Sequence, residues 1–224
     1  MAHPLDRPVW SALTTRQAGF AIGDAGALRF DPAVAVFAAA RDTTPESLAA
    51  LARLVPEGGT IGLVEHGAPA LPDALHVVKQ VACVQMIAPH LSVPKPGFNV
   101  VTLGDADAAE MLDLATLTEP GPFFARTHVL GGFVGVREAG RLVAMAGERL
   151  KAPGFTEVSG VCTRPGWRGR GFAAGLLRLV ARRIAARGET PFLHAYADHA
   201  ATIALYERLG FAVRAQMTYT ILRR

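Results

Sequence analysis

The chain has 224 residues, of which half are hydrophobic and 19% charged, and a net charge of +4. That apolar fraction supports a real core and excludes a mainly disordered chain. Two cysteines, Cys83 and Cys162, exclude a disulfide scaffold and a zinc site built from cysteines. Asp6 and Arg7 stand where a signal peptide would need an apolar run. The most apolar stretch, 33–40, is far short of the roughly 20 residues of a membrane span. A soluble, cytoplasmic protein with no membrane partner is expected.

In the N-terminal half, 44–55 predicts a helix. Thr44 can cap it, Pro45 suits its first turn and Glu46 complements its dipole. Residues 60–66 and 76–88 are rich in β-formers. No constellation here carries chemistry. The proline-rich stretch 88–97 reads as a connection. We therefore divide the chain into an additional N-terminal α/β domain over 1–92 with no assigned role, a linker over 93–97, and a second domain over 98–224.

The second domain begins with a strand over 98–104 and a helix capped by Asp105, whose Ala108, Met111, Leu112 and Ala115 form one stripe. Residues 119–132 are turn-rich. A hairpin is predicted over 133–150 with its turn at 138–140, and a further strand over 155–163. Next comes an amphipathic helix over 170–188, with Phe172, Leu176, Leu177, Val180 and Ile184 inward and Gly188 as its stop. A strand over 190–197, a short helix from Asp198 to Leu209 and a terminal strand over 211–223 complete an α+β order.

The charge is uneven. Residues 1–96 carry 7 Lys+Arg against 8 Asp+Glu, whereas 97–224 carry 16 against 11. Seven arginines fall between Arg164 and Arg187. Such a cluster suits an anionic small molecule or a nucleic acid, or is the solvated face of a helix. No aromatic-interleaved basic stripe supports nucleic acid, so none is expected as a partner.

The junction 161–173 is the informative segment. A strand runs through a loop with Arg168, Gly169, Arg170 and Gly171 into a helix. First-turn amides of a helix lack intrahelical partners and, with the helix dipole, form an anion site. Glycines let a phosphate approach the backbone. The run is neither a P-loop nor a dinucleotide fingerprint.

The string Arg168-Gly169-Arg170-Gly171-Phe172-Ala173 fits R/Q-x-x-G-x-G/A, a signature of the GCN5-related N-acetyltransferase (GNAT) superfamily. The string 203–211, IALYERLGF, resembles the superfamily's closing motif of a tyrosine followed by Gly-Phe, about 35 residues downstream in the expected order. The segment 155–173, with an N-terminal half and this tail, resembles the FR47-like branch most. The resemblance covers a little over half of the chain. It implies a GNAT-type mixed central sheet flanked by helices. It also implies acetyl transfer from acetyl-CoA, as cosubstrate, to a primary amine of a small molecule or peptide.

By the same resemblance, the pyrophosphate sits on the backbone of Arg168, Gly169, Arg170, Gly171, Phe172 and Ala173. The pantetheine arm pairs with the backbone of Val161, Cys162 and Thr163. A primary amine is mostly protonated at neutral pH and needs a base, and the departing thiolate favours an acid. Glu157, eleven residues before Arg168 and preceded by Phe-x, matches the superfamily's base position; Glu148 is a weaker rival. Tyr206 matches the tyrosine that faces the CoA sulfur. The family's Asn seven residues before that tyrosine is replaced by His199, which either holds the CoA arm or joins the proton path.

Strand alternation places Glu157, Ser159 and Val161 on one face and the Cys162 side chain, read as core, on the other. The spacing of His194, Asp198 and His199 does not suggest a metal, and none is expected. Phe123, Phe124, Arg126 and His128 either line the amine pocket or plug the structure. The oligomeric state is open. The competing reading is a non-catalytic acyl-CoA-binding module or sensor, which would not need Glu157 and Tyr206.

Overall fold

The computed structural model describes residues 3–89 and 97–224. An eight-stranded sheet forms the frame. Its members in chain order are β4 (Ile61–Glu65), β5 (His76–Ile87), β6 (Val101–Leu103), β7 (Phe133–Glu138), β8 (Arg141–Ala152), β9 (Phe155–Thr163), β10 (Thr190–Tyr196) and β11 (Ala212–Arg223). The spatial order is β4-β11-β5-β10-β9-β8-β7-β6. Three short strands, β1 (Ala21–Gly23), β2 (Ala27–Phe30) and β3 (Ala38–Ala40), make a separate antiparallel sheet. The helices are α1 (Pro8–Leu13), α2 (Pro45–Arg53), α3 (Ala108–Thr118), α4 (Phe172–Ala185) and α5 (Ala200–Arg208). The α+β class and mixed sheet are as expected. Among the described residues, no helix is long and apolar enough to cross a membrane.

The large sheet crosses the division suggested by the sequence. Strand β5, from the N-terminal half, lies between β10 and β11 and pairs antiparallel with both. Strand β4 pairs with the other side of β11. Residues 93–96 of the expected linker lie outside the described residues. A strand from the first half thus joins strands of the second, because its ladder groups must be matched somewhere.

Local chemistry explains the elements around the site. Thr44 accepts the Ser47 amide at the N-terminus of α2, followed by Pro45, as the sequence implied. The hairpin β7–β8 turns on Ala139 (φ 48°) and Gly140 (φ 79°), the left-handed pair of a two-residue hairpin. Asp105 does not cap α3: it opens a 3-10 turn, and the Asp107 carboxylate takes the Gly104 amide. On α4, Phe172, Leu176, Leu177, Val180, Ala181 and Ile184 are buried. They pack on Val134, Ala146, Val158 and Leu193 of the sheet. On the opposite face, α3 packs through Met111, Leu114 and Ala115 onto Leu103, Phe133, Met145 and Cys162.

Two irregularities in the β8–β9 ladder matter most. Between the pairs Met145↔Cys162 and Gly147↔Ser159, β9 gains one residue. Gly160 supplies it at φ +63°. An extra residue in one strand bends it and inverts its alternation. Hence Val158 packs with the α4 cluster and Cys162, four positions on, with the α3 cluster. The expectation of uninterrupted alternation from Glu157 to Cys162 fails for this reason. Cys162 is core all the same, its thiol raised by burial to about 11. The second irregularity falls between Glu148↔Val158 and Lys151↔Thr156, where the extra residue is on β8.

A Cβ on Gly160 would meet the Phe133 ring at 2.9 Å and would hold a left-handed backbone. Gly160→Ala should therefore cost about 1–3 kcal/mol. That corresponds to a fall in Tm of about 2–12 °C for a chain of this size. A calorimetric Tm equal to wild type would show that the bulge does not need glycine.

Candidate active site

Strands β9 and β10 run parallel but pair only at Thr190↔Phe155, Pro191↔Thr156 and Phe192↔Glu157. Beyond Glu157 they part. Among the described residues, the remainder of β9 is held only by β8, from Glu148↔Val158 to Ala144↔Thr163. Strand β10 continues against β5 as far as Tyr196↔Cys83. Among the described residues, the edge of β9 at Val161, Cys162 and Thr163 thus has no strand beside it on the β10 side, and a backbone-pairing ligand could occupy it.

The glycine loop follows at once. Gly169 (φ 79°) and Gly171 (φ 77°) are left-handed, and Gly171 is the N-cap of α4. A Cβ at either would point into open space. The amides from Gly169 to Ala174 find no backbone acceptor among the described residues. The first bond of the helix is Gly175 N–H to Gly171 O, 3.0 Å. The Arg170 guanidinium lies over the Trp167 ring at 4.3 Å, and Arg168 Nε donates to Thr163 O at 3.4 Å. Two buried atoms beside the loop, Thr163 Oγ1 and Arg164 Nε, have no partner among the described residues. Gly169 to Ala173 therefore present a run of open backbone amides at the start of α4.

A cleft of about 250 Å³ opens where the strands part, with Val161, Ala195 and Tyr196 on its walls. His199, Thr202 and Tyr206 reach it from α5 and the residue preceding it. His199 is the N-cap of α5 in place of the expected Asp198. Its side chain is 57% exposed, and its ring meets the Tyr196 ring at 5.3 Å. Burial raises the Tyr206 hydroxyl above its ordinary range, so the phenol stays protonated at neutral pH. Two expected residues, His199 and Tyr206, are thus brought together.

Glu157 has a different setting from the one expected. Its side chain is 0% exposed and it is not part of the cleft wall. Arg149, placed by the β8 irregularity, donates through Nε to Oε2 and through Nη2 to Oε1, both at 2.8 Å. The Leu150 amide donates to Oε2 at 3.3 Å, and His194 Nδ1 lies 2.8 Å from Oε1. Burial opposes ionisation, but the Arg149 guanidinium and the His194 ring outweigh it and hold the carboxyl far below the usual carboxylate range. Both of its oxygens are thus engaged within the protein, by Arg149, Leu150 and His194.

The network continues behind it. Gln85 Oε1 accepts from Arg214 Nη1 at 2.8 Å. The Gln85 amide nitrogen therefore faces Leu5 O at 2.9 Å and His194 Nε2 at 3.1 Å. These partners assign the proton of His194 to Nδ1 and an accepting lone pair to Nε2.

Other candidates fall away from the cleft. Glu148 is bound to Arg187 and Lys151 at 2.9 and 3.2 Å, outside the cleft wall. Phe123 packs on Phe133, the Phe124 amide bonds Thr127, and His128 bonds Asp105 at 2.9 Å. The Arg126 amide bonds Ala33 O at 2.8 Å. None of these four lines the cleft; Glu119 to Pro122, just upstream, do. Sequence reasoning missed Arg149, Gln85 and Tyr219 and set His194 aside. The one local signal was a charged pair, Glu148-Arg149, directly after the uncharged run 142–147 of the strand.

An FR47-like family model matches residues 133–220. A protein from Novosphingobium aromaticivorans, classed with the GNAT-family acetyltransferases, is 46% identical, with a TM-score of 0.90 over 100% of this chain and 99% of that one. The chain belongs to the GNAT family of acetyltransferases. A GCN5-related N-acetyltransferase from Kribbella flavida shares the fold, with a TM-score of 0.67 and 21% identity over 99% of this chain and 96% of that one. No curated protein matches. GNAT enzymes generally use acetyl-CoA as cosubstrate. The open amides, the orphaned Thr163 and Arg164 atoms and the unpaired edge of β9 fit such a group.

The buried pair makes a pH prediction for this GNAT protein. A carboxyl held low in the folded state adds stability that is complete above its unfolded pKa, about 4.3, and is lost as pH falls. Glu157→Gln leaves Arg149 buried without its partner, which should cost about 3–5 kcal/mol at pH 7. The variant should then lose less stability than wild type between about pH 5 and pH 2. Urea titrations giving the same pH slope for both proteins would contradict the assignment of this pair.

Proposed function

We propose that the protein transfers the acetyl group of acetyl-CoA to a primary amine by direct attack. The observation that carries this reading is the continuity of three features: the unpaired edge of β9, the open amides of the glycine loop, and a cleft at the parting of the strands that holds Tyr206. Acetyl-CoA supplies an activated acetyl group; transfer forms an N–C bond, breaks the C–S bond and leaves a proton to be moved from nitrogen to sulfur.

The residues divide this work. The backbone of Arg168 to Ala173 takes the phosphates, and that of Val161 to Thr163 takes the pantetheine arm. Tyr206, protonated and half-buried in the cleft wall, donates to the departing sulfur; a phenol is well matched to a thiolate. The amine proton leaves by way of His199 at the cleft rim. Glu157 enters as a positioning group, fixing Arg149 and the tautomer of His194. Catalysis then rests on orientation and on two proton movements, without an enzyme nucleophile.

Tyr206→Phe should lower kcat by about 10²–10⁴-fold, the usual contribution of a positioned acid, with acetyl-CoA affinity unchanged. His199→Asn should retain that affinity and lower kcat. Thiol-release kinetics across pH check both. Full turnover in Tyr206→Phe would remove Tyr206 from the mechanism, and absence of thiol release from the wild-type protein would favour a module that binds acyl-CoA without chemistry. An unaltered kcat in His199→Asn would return His199 to the family's hydrogen-bonding position.

A further inference from the structure

The Arg149 guanidinium has two functional edges. Nε and Nη2 are bound to Glu157 at 2.8 Å each. Nη1 has no acceptor among the described residues. The side chain is 11% exposed, its guanidinium lies 4.8 Å from the centroid of the Phe37 ring, and it forms part of the cleft wall. Glu157 does not line the cleft. The pair is therefore asymmetric: its anion is hidden behind the wall and its cation is presented to the cavity.

The other polar groups of the wall accentuate this. Beside the His194 and His199 rings and Thr202, the hydroxyls of Tyr196, Tyr206 and Tyr219 line the cleft, and the one carboxylate lining it is Glu119, which is exposed. A guanidinium held on one edge by a carboxylate and stacked on an aromatic ring has lost most of its freedom already. A second anionic oxygen at its free edge would complete its hydrogen bonding at little further entropic cost. A cationic acceptor would meet this group at the cleft wall and would find its only counter-charge at Glu119.

We infer that the acceptor is a primary amine bearing a carboxylate, and that Arg149 Nη1 receives that carboxylate while the amine is turned toward the thioester. The inference rests on the acetyl-transfer reading and names its substrate class. Arg149 undergoes no chemical change: the amine nitrogen loses a proton, the N–C bond forms, the C–S bond breaks and the thiol carries a proton away. The volume of the cleft, about 250 Å³, lies just below the usual range of ligand sites, which suits a small amino acid better than a folded protein surface.

The test is thiol release from acetyl-CoA with matched acceptors: glycine against glycinamide, β-alanine against β-alaninamide, and 1,4-diaminobutane. Rates are expressed per unprotonated amine. At least one carboxylate acceptor should exceed its amide in kcat/KM by on the order of 10- to 100-fold, as expected where a site's polar group would otherwise go unpaired. In Arg149→Lys, which keeps a charge for Glu157 but lacks the second edge, that ratio should fall below about threefold. The ratio is insensitive to a general loss of activity. If this variant does not fold, the Arg149→Gln, Glu157→Gln double variant removes both charges and serves the same comparison. Equal rates within each pair, a preference for the diamine, or a preference surviving in both variants would overturn the inference and leave acetyl transfer standing. Absence of thiol release with every amine would overturn both.

Discussion

A carboxylate cannot sit dry in the middle of a sheet without a matched cation, and Glu157 is such a carboxylate. It occupies the last rung at which β9 and β10 still pair. Its partner, Arg149, comes from an irregularity in β8, and its second partner, His194, comes from β10. One ion thereby ties three adjacent strands together at the point where two of them must separate. Desolvation makes such a pair a poor source of net stability, while its loss from one side is costly. What it provides is placement. The tautomer of His194 and the presentation of Arg149 to the cleft follow from its geometry.

The second constraint is the extra residue at Gly160. Without it, β9 would keep one alternation from Glu157 to Thr163 and would present Cys162 with Val158 to α4. With it, the strand bends, Cys162 turns into the α3 core and the strand's edge is turned away from β10. A 3-10 turn over Pro165–Trp167 then leads from Thr163 into the glycine loop, whose open amides lie at the end of the same edge. The anion cradle and the strand edge are thus one continuous backbone surface, which suits an elongated ligand with phosphates at one end.

Local features of this design were legible in the sequence. The period of α4, the Thr44-Pro45 start of α2, the β7–β8 hairpin and the glycine loop each depend on neighbours in the chain, so their residues announce them. The α5 tyrosine and the glycine loop also gave the family. What the sequence did not show depends on distant partners. Strands β1 to β3 have three or four residues each and offer no period to read. The insertion of β5 between β10 and β11 is a matter of long-range pairing. The burial of Glu157 was not legible because its environment is set by Arg149, His194 and Leu150, none of which a strand pattern identifies. One clue was available: a glycine in the middle of 155–163 marks a bulge, and the alternation argument passed over it.

The central claim is that the unpaired edge of β9 and the amides of the glycine loop form one seat for the CoA moiety. Amide hydrogen exchange of the whole protein with and without CoA tests it most directly. The account predicts slowed exchange in two segments together, Val161 to Thr163 and Gly169 to Ala174, with little change in β4 or in the β1–β3 sheet. Protection confined to other surfaces, with these two segments exchanging as in the free protein, would contradict it.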